Sequence, residues 1–431
     1  MASGLRGSAH TRRGGKNAAN GERPSPLADF ARTADGASRS VPLVGFTKPF
    51  CPARSLIEPR ASALRDIARL FLKLGLVSFG GPAAHIALMR DEVVRRRGWM
   101  GEDEFMDAVG AVNLLPGPNS TELALHIGRR QAGAAGLLVA GACFILPPMA
   151  LVLVCAWAYV RYGHLPAVLG AWAGAQPVVV AVVAMALAGF ARTALRTIPA
   201  VGAGLFALVL AALGVHELVV LLAAGLLVLA VRMPSRTSGA AAGMVAFVPW
   251  LPAAAPAAAA LPGVGWLFLF FFKTGAVLYG SGYVLLSFLR GGLVERGGWL
   301  TEAQLLDAVA AGQLTPGPVF TTATFIGYLL HGVLGGLVAT LGIFFPAFLL
   351  VGVSGALIPW LRRSPPARAF LDGVNAGSVA LMAVVTWELG RHALTSPWLG
   401  ALAAASVLLL RAGVNSSWLV AGGALVGALL H

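Results

Sequence analysis

The chain has little charge and almost no cysteine. Only 12% of its 431 residues are charged and 57% are apolar, whereas a soluble domain has about 25% charged residues. This shortage excludes a soluble enzyme, because too few charges are present to cover a water-exposed surface. The three cysteines have no CxxC spacing, so a disulfide framework and a cysteine-based zinc site are excluded as well. The class that remains is a membrane protein with several spanning helices.

The net charge of +14 does not indicate a nucleic-acid partner, because many basic residues lie in the first 60 residues and most of the remaining arginines lie in short breaks between apolar runs. Residues 1–60 contain ten Lys/Arg against four Asp/Glu and are rich in Gly, Ser and Pro. We predict that residues 1–60 form a disordered basic tail that contacts anionic lipid headgroups. A start codon assigned too far upstream would give the same composition.

Apolar segments follow from residue 66, each near the roughly 20 residues that a spanning helix needs. They lie at 66–89, 105–128, 135–160, 166–190, 198–214, 217–232, 264–289, 303–329, 332–358, 370–389, 396–411 and 416–430. Residues 233–262 are rich in Ala and Pro and are predicted to be a linker. The fold class that we predict is an all-α polytopic membrane protein with about 12 (range about 10–13) transmembrane helices.

The sequence contains an internal repeat. Residues 71–121 and 271–321 share 20 identities in 51 aligned positions without a gap. The shared residues include a lysine, a tryptophan, an aspartate and a Pro-Gly-Pro, which similar apolar composition does not produce by chance. We therefore predict an N-terminal repeat at 66–232 and a C-terminal repeat at 264–431. Two such repeats are the usual plan of a secondary transporter, whose substrate binds between them. Whether the repeats are parallel or inverted stays open.

Both repeats carry a Pro-Gly-Pro that interrupts a helical segment. Proline removes a backbone donor, so a new half-helix would begin after the interruption and offer free N–H groups to an anion. A kink that serves only packing is the alternative. The candidate binding residues in these segments are Pro116, Gly117, Pro118, Asn119, Ser120, Thr121, Pro316, Gly317 and Pro318.

Lys73 and Lys273 occupy equivalent positions in apolar runs. An ammonium group there either attracts an oxyanion or extends to the membrane interface. The SFGGP segment follows Lys73, and its small residues allow close approach of a second helix or of a ligand. We treat both lysines as candidate binding residues, together with Ser78, Gly80, Gly81 and Pro82.

Carboxylates recur beside these segments. Asp107 and Asp307 are repeat equivalents that either stabilise a helix N-terminus, bind a proton or pair with a nearby cation. Glu122 and His126 are spaced i, i+4, which suits a proton relay, although the second repeat has Thr322 and Ile326 there. Gln176 and Asn375 are polar residues within apolar segments, and we align Asn375 with Ala173.

The string FLKLGLVSFGGPAAHIALMRDEVVRRRGWMGEDEFMDAVGAVNLLPGPNS resembles the chromate ion transporter family. The resemblance covers residues 66–190 and returns at 266–390, and two copies in one chain resemble the long-chain form of that family. It implies a multi-pass inner-membrane protein that exports chromate and confers chromate resistance. The second copy departs from the first, with Ser281-Gly282 in place of Gly81-Pro82, so we expect the principal binding groups in the N-terminal half.

The function that we expect is secondary active export of chromate. Transport of sulfate or another tetrahedral oxyanion is the first alternative. A membrane oxidoreductase is a weaker one, because we find neither histidines paired across helices nor cysteine motifs that would bind a redox cofactor. We expect no enzyme activity, cofactor or metal site. The partners that we expect are the oxyanion and membrane lipid, and a homodimer is an open option.

Overall fold

The computed structural model describes residues 60–233, 261–280 and 282–430, and every regular element within those ranges is helical. The predicted tail lies outside these ranges up to residue 59. Most of the predicted linker and Ser281 also lie outside them. The all-α prediction is therefore met by the part of the chain that the structure describes.

The N-terminal half contains seven helices among its described residues. They are α1 (Arg60–Val77), α2 (Gly81–Arg90), α3 (Glu102–Val112), α4 (Asn119–Tyr162), α5 (Pro166–Ala194), α6 (Ile198–Ala212) and α7 (Glu217–Arg232). A π-helical segment, Asp91–Arg96, continues α2.

The described part of the C-terminal half repeats this order. Its helices are α8 (Val264–Val277), α9 (Leu285–Leu289), α10 (Glu302–Leu314), α11 (Thr322–Arg363), α12 (Pro365–Ala393), α13 (Pro397–Arg411) and α14 (Ser416–Leu430). The helices α12, α13 and α14 begin 199 residues after α5, α6 and α7, so the repeat extends through the final helix. This offset aligns Asn375 with Gln176, and the alignment of Asn375 with Ala173 was wrong.

Four helical stretches are long and apolar enough to cross a membrane, namely Asn119–Tyr162, Pro166–Ala194, Val319–Gly355 and Pro365–Ala393. Four shorter apolar helices accompany them: Ile198–Ala212, Val264–Val277, Pro397–Arg411 and Ser416–Leu430. These helices are those of a membrane protein. The number of twelve spans stays a prediction.

The predicted segment 66–89 is not one helix. It divides into α1 and α2 because Gly80 and Gly81 have φ values of +104° and +79°, which no continuous right-handed helix contains. The predicted segment 264–289 divides in the same way, since α8 ends at Val277 and a short 3₁₀ turn resumes at Gly282.

The helix α4 folds back on itself. Its backbone leaves the helical region at Ala132 and Gly133, and a Cβ on Gly128 would lie 2.4 Å from the carbonyl oxygen of Gly136. Residues eight apart in a straight helix are separated by about 12 Å. The two arms, 119–131 and 134–162, therefore lie side by side. The helix α11 reverses in the same way at His331 and Gly332.

The last helix of each half packs against a helix of the other half. Gly174 of α5 contacts Gly423 and Gly427 of α14, so the backbones of the two helices approach closely. The equivalent residue of α12, Gly373, contacts Ala224 of α7. The final helix α14 thus packs against α5 of the other half, and α7 packs against α12. This reciprocal arrangement is what a pseudo-two-fold axis between the repeats produces.

Candidate functional site

The four helix interruptions meet in pairs between the halves. The N–H of Gly117 donates to the carbonyl oxygen of Leu278 over 2.8 Å, and the N–H of Gly317 donates to the carbonyl oxygen of Ser78, also over 2.8 Å. The two hydrogen bonds are related by the repeat offset of 200. The Pro-Gly-Pro of each half therefore binds the first interruption of the other half.

We name these two junctions by their residues. The first crossing joins 78–82 to 316–318, and the second crossing joins 116–118 to 278–280. The SFGGP and Pro-Gly-Pro segments of the N-terminal half lie at different crossings. Every candidate residue of these segments still lies at one of the two crossings or in the first turn of the helix that follows.

The first crossing is filled by side chains. The backbone of Ser78 accepts hydrogen bonds from Gly317 and from the imidazole of His85, whose Nε2 lies 3.1 Å away. Tyr283 packs near Gly81 and its hydroxyl accepts a 2.6 Å hydrogen bond from Gln313. The Gln313 carbonyl oxygen in turn accepts from Ser417. Buried protein groups thus surround this junction, and among the described residues the Ser78 hydroxyl and His85 Nδ1 have no hydrogen-bond partner.

The remaining candidate residues of the first crossing pack against protein groups or begin a helix. Gly80 lies beside the amide of Asn415, and Pro82 stands in the first turn of α2, where its missing N–H costs no helical hydrogen bond. Pro316, Gly317 and Pro318 are buried. Pro148 of α4 lies directly against Gly317, because a Cβ there would come within 2.6 Å of the proline ring.

The second crossing carries polar groups without protein partners. Asn119 begins α4 and its amide donates to Asn113 over 2.8 Å, which closes the turn around Pro116 and Pro118. Ser120 and Thr121 follow in the first turn and are buried. Within the described residues, the Thr121 hydroxyl has no hydrogen-bond partner.

Glu122 occupies the centre of the second crossing. Its side chain is fully buried, and neither carboxyl oxygen has a hydrogen-bond partner in the described part of the chain. The carboxyl group packs against Gly117, since a Cβ on that glycine would lie 2.6 Å from Oε1. His126 stands one turn further along and its Nδ1 also lacks a partner among those residues.

A cavity of about 280 Å³ adjoins the second crossing. On the same measure one ordered water needs about 10–15 Å³, so the space holds a small hydrated ion. Its lining includes Asn113, Tyr279, Asn375, Arg232, Arg368 and Asp372. Two guanidinium groups against one carboxylate make the lining net positive, and Arg232 is paired with Asp372.

The two lysines have different surroundings. The Lys73 ammonium binds the Glu92 carboxylate at 2.7 Å, and this hydrogen bond is the main reason why the pKa of Glu92 is lowered. Lys273 is exposed and forms no ion pair with any residue that the structure describes. Their assignment as oxyanion ligands stays a prediction.

The aspartates of the repeat have different surroundings. Asp307 is buried and accepts hydrogen bonds from the Tyr159 hydroxyl and the Gln176 amide, both at 2.9 Å. Its equivalent Asp107 is exposed. Asp307 belongs to the C-terminal half and its two partners to the N-terminal half, so this network joins the repeats.

A second charged contact joins the halves at Arg296. In the first repeat the equivalent Arg96 pairs with Glu92, but the second repeat has Gly292 at that position. Arg296 instead forms an ion pair with Glu217, in which its Nη2 donates to both carboxylate oxygens at 2.9 and 3.1 Å. Burial lowers the pKa of the neighbouring His216.

Several site residues were absent from the sequence-based set. Tyr279 and Tyr283 lie in the interruption of the second repeat, and Asn113 and Gln313 are equivalent amides three residues before the two Pro-Gly-Pro segments. An amide at the same position of both repeats, inside an apolar segment, was a usable signal. Arg232 and Arg368 gave no such signal in the sequence, because they resemble ordinary arginines at helix ends.

Comparison with known proteins places these features in one family. The family model described as "Chromate transporter" matches the chain twice, at residues 65–229 and 265–428. The chain belongs to the chromate transporter family. The double match corresponds to the two halves of the structure, and the resemblance seen in the sequence is confirmed. A comparison with solved structures gives no significant match.

Curated relatives cover most of the chain. It is 32% identical to a probable chromate transport protein of Synechococcus elongatus, over 78% of this chain and 86% of the relative. It is 30% identical to the chromate transport protein of Cupriavidus metallidurans, over 85% and 93%. It is 32% identical to the chromate transport protein of Pseudomonas aeruginosa, over 78% and 83%. Family membership and the apolar helices indicate a multi-pass membrane transporter rather than an enzyme.

Proposed function

We propose that this protein is a secondary active transporter that exports chromate across the inner membrane and thereby confers chromate resistance. The observation that carries the proposal is the meeting of four helix interruptions between two repeats of a chromate transporter family member. Interrupted helices between repeats are where secondary transporters bind their substrates.

The chemistry of the second crossing suits a tetrahedral dianion. Chromate presents four oxygen acceptors, and the first turn of α4 offers backbone N–H groups together with the Thr121 hydroxyl. The helix dipole adds partial positive charge at that end. The neighbouring cavity, with Arg232 and Arg368 in its lining, supplies an electropositive approach.

Export is favoured by the membrane potential. Moving two negative charges out of a cell held at about −100 mV releases roughly 4–5 kcal/mol, at about 2.3 kcal/mol per charge. A transporter of this kind needs no ATP site for such a gradient, and the chain has no P-loop motif.

The decisive experiment measures uptake of radiolabelled chromate into inside-out vesicles under an imposed potential, with and without excess sulfate. We expect potential-dependent uptake that Arg368→Gln in the cavity reduces several-fold. The matched control is Arg411→Gln, which changes an exposed arginine at the end of α13. Absence of uptake by folded protein would contradict chromate export.

Sulfate remains the alternative substrate, because N–H and hydroxyl groups recognise any tetrahedral dianion by the same contacts. Strong inhibition of chromate uptake by sulfate would indicate a general oxyanion transporter. Direct uptake of labelled sulfate, with chromate as the weaker competitor, would make sulfate the principal substrate.

A further inference from the structure

The carboxyl group of Glu122 is buried without compensation. Its side chain has no exposed surface, and among the residues that the structure describes neither of its oxygens receives a hydrogen bond. A carboxylate anion in such surroundings loses its hydration and gains nothing in return, which is costly. A protonated carboxyl group avoids most of that cost.

The groups that face Glu122 supply no balancing charge. The second crossing presents Tyr279, a neutral phenol that lies within electrostatic reach of the carboxyl group. On its own helix the next titratable group is His126, one turn away. The carbonyl oxygen of Gly275 in α8 lies near Gly117 and is itself an acceptor. No Lys or Arg of the described residues forms an ion pair with Glu122.

Glu122 also shares its loop with the groups that would bind the oxyanion. The carboxyl group packs on Gly117, and Thr121 precedes it in the first turn of α4. A dianion at this helix end would lie within a few ångströms of the carboxyl group. Two negative groups so close in a low-dielectric site repel strongly, so binding of the dianion favours the protonated form.

We propose that Glu122 is a proton-binding site linked to substrate binding: the oxyanion occupies the second crossing while Glu122 carries a proton. This inference rests on the proposed function, since it takes the oxyanion to bind there. The proton comes from water when the anion binds and returns to water when the anion leaves, and no other bond changes.

The surroundings provide a route for that proton. Tyr279 lines the 280 Å³ cavity and is close enough to Glu122 for the two side chains to interact electrostatically, so a space large enough for water lies near the carboxyl group. The C-terminal half offers no equivalent, because Thr322 stands in the corresponding place and its hydroxyl donates to the Val319 carbonyl. Glu122 therefore binds one proton for each oxyanion that binds at the second crossing.

The test measures equilibrium binding of radiolabelled chromate to the purified full chain in detergent at a series of pH values. For the unchanged protein we expect affinity to fall up to tenfold per pH unit above the titration point of Glu122. Over the pH range in which chromate stays a dianion, Glu122→Gln should bind chromate with an affinity that does not vary with pH. Asp103→Asn, a matched change at an exposed carboxylate in the first turn of α3, should keep the slope of the unchanged protein.

Proton exchange gives a second readout. In weakly buffered solution above the titration point, chromate binding should take up one proton per ion in the unchanged protein and none in Glu122→Gln. A Glu122→Gln protein with the original pH slope and proton uptake would overturn the inference while leaving chromate binding intact. Failure of the unchanged protein to bind chromate at any pH would instead contradict the proposed function.

A labelling experiment needs no variant and therefore does not depend on whether Glu122→Gln folds. A hydrophobic carbodiimide reacts with protonated carboxyl groups in apolar surroundings, and peptide mass analysis locates the product. We expect modification of Glu122 that decreases as pH rises. Absence of modification at acidic pH would overturn the assignment whatever the binding data show.

Discussion

Replacement of Gly317 by alanine tests the geometry of the first crossing. Gly317 has φ +98°, a region in which an L-residue costs about 1–2 kcal/mol. An added Cβ would also lie 2.6 Å from Cβ and Cγ of Pro148, well inside van der Waals contact. Overpacking of this kind costs about 1–3 kcal/mol more. The expected total loss of stability is about 2–5 kcal/mol.

The backbone cost can be measured separately at Gly98. Its φ is +59°, and a Cβ there would meet nothing within 4 Å. Gly98→Ala should therefore lose only about 1–2 kcal/mol. Thermal unfolding in detergent, followed by fluorescence, compares the two variants. Each kcal/mol lowers Tm by about 2–4 °C for a domain of 150–250 residues, and this larger chain belongs at the low end.

A double variant tests whether Pro148 is the residue that an added Cβ at position 317 contacts. Pro148→Gly removes the ring atoms that a Cβ at position 317 would strike, so it should recover about 1–3 kcal/mol when combined with Gly317→Ala. Equal Tm values for Gly317→Ala and Gly98→Ala would refute the contact between Pro148 and the Pro-Gly-Pro turn.

Two further changes test charged contacts. Asp307→Asn weakens the acceptor of two hydrogen bonds between the halves and should cost about 1–3 kcal/mol of stability in thermal unfolding. Asp107→Asn, at the exposed equivalent position, should cost less than about 0.5 kcal/mol. Similar losses in the two variants would contradict the hydrogen-bond network around Asp307. The lowered pKa of Glu92 means that its carboxylate stabilises the fold above the ordinary glutamate pKa of 4.5, and that this contribution is lost as pH falls through the lower pKa of the folded state. Lys73→Met should therefore lose less stability than the unchanged protein when pH is lowered in an acid titration. An unchanged dependence of stability on pH would contradict the ion pair between Lys73 and Glu92.

The sequence predicts the repeat and its interruptions well, because both depend on residues with strong local effects. Proline and paired glycines interrupt a helix wherever they occur, so the ends of α3 and α10 follow from the chain itself. The sequence also predicts the bounds of α7 and α14, where apolar runs end in turns.

Contacts between the halves could not be predicted in the same way. The pairing of Gly117 with Leu278 and of Gly317 with Ser78 depends on the crossing of distant segments, which leaves no mark on local composition. In the sequence, the segment around Gly133 where α4 reverses resembles a short loop between two spanning helices. The partner of Lys73 was also hidden, since Glu92 lies 19 residues away in a charged stretch that reads as a surface loop.

The reciprocal hydrogen bonds at the crossings have a consequence for how such a chain is assembled. Each half supplies one donor and one acceptor, so half a molecule could complete its contacts only with a second copy. Covalent fusion replaces that bimolecular encounter by an intramolecular one, and assembly becomes independent of protein concentration. Fusion also releases the two junctions from being identical. Tyr283 and Gln313 pack at the first crossing, whereas the second crossing has a cavity beside it and contains the buried carboxyl group of Glu122, so the two junctions differ in chemistry although the chain repeats around them.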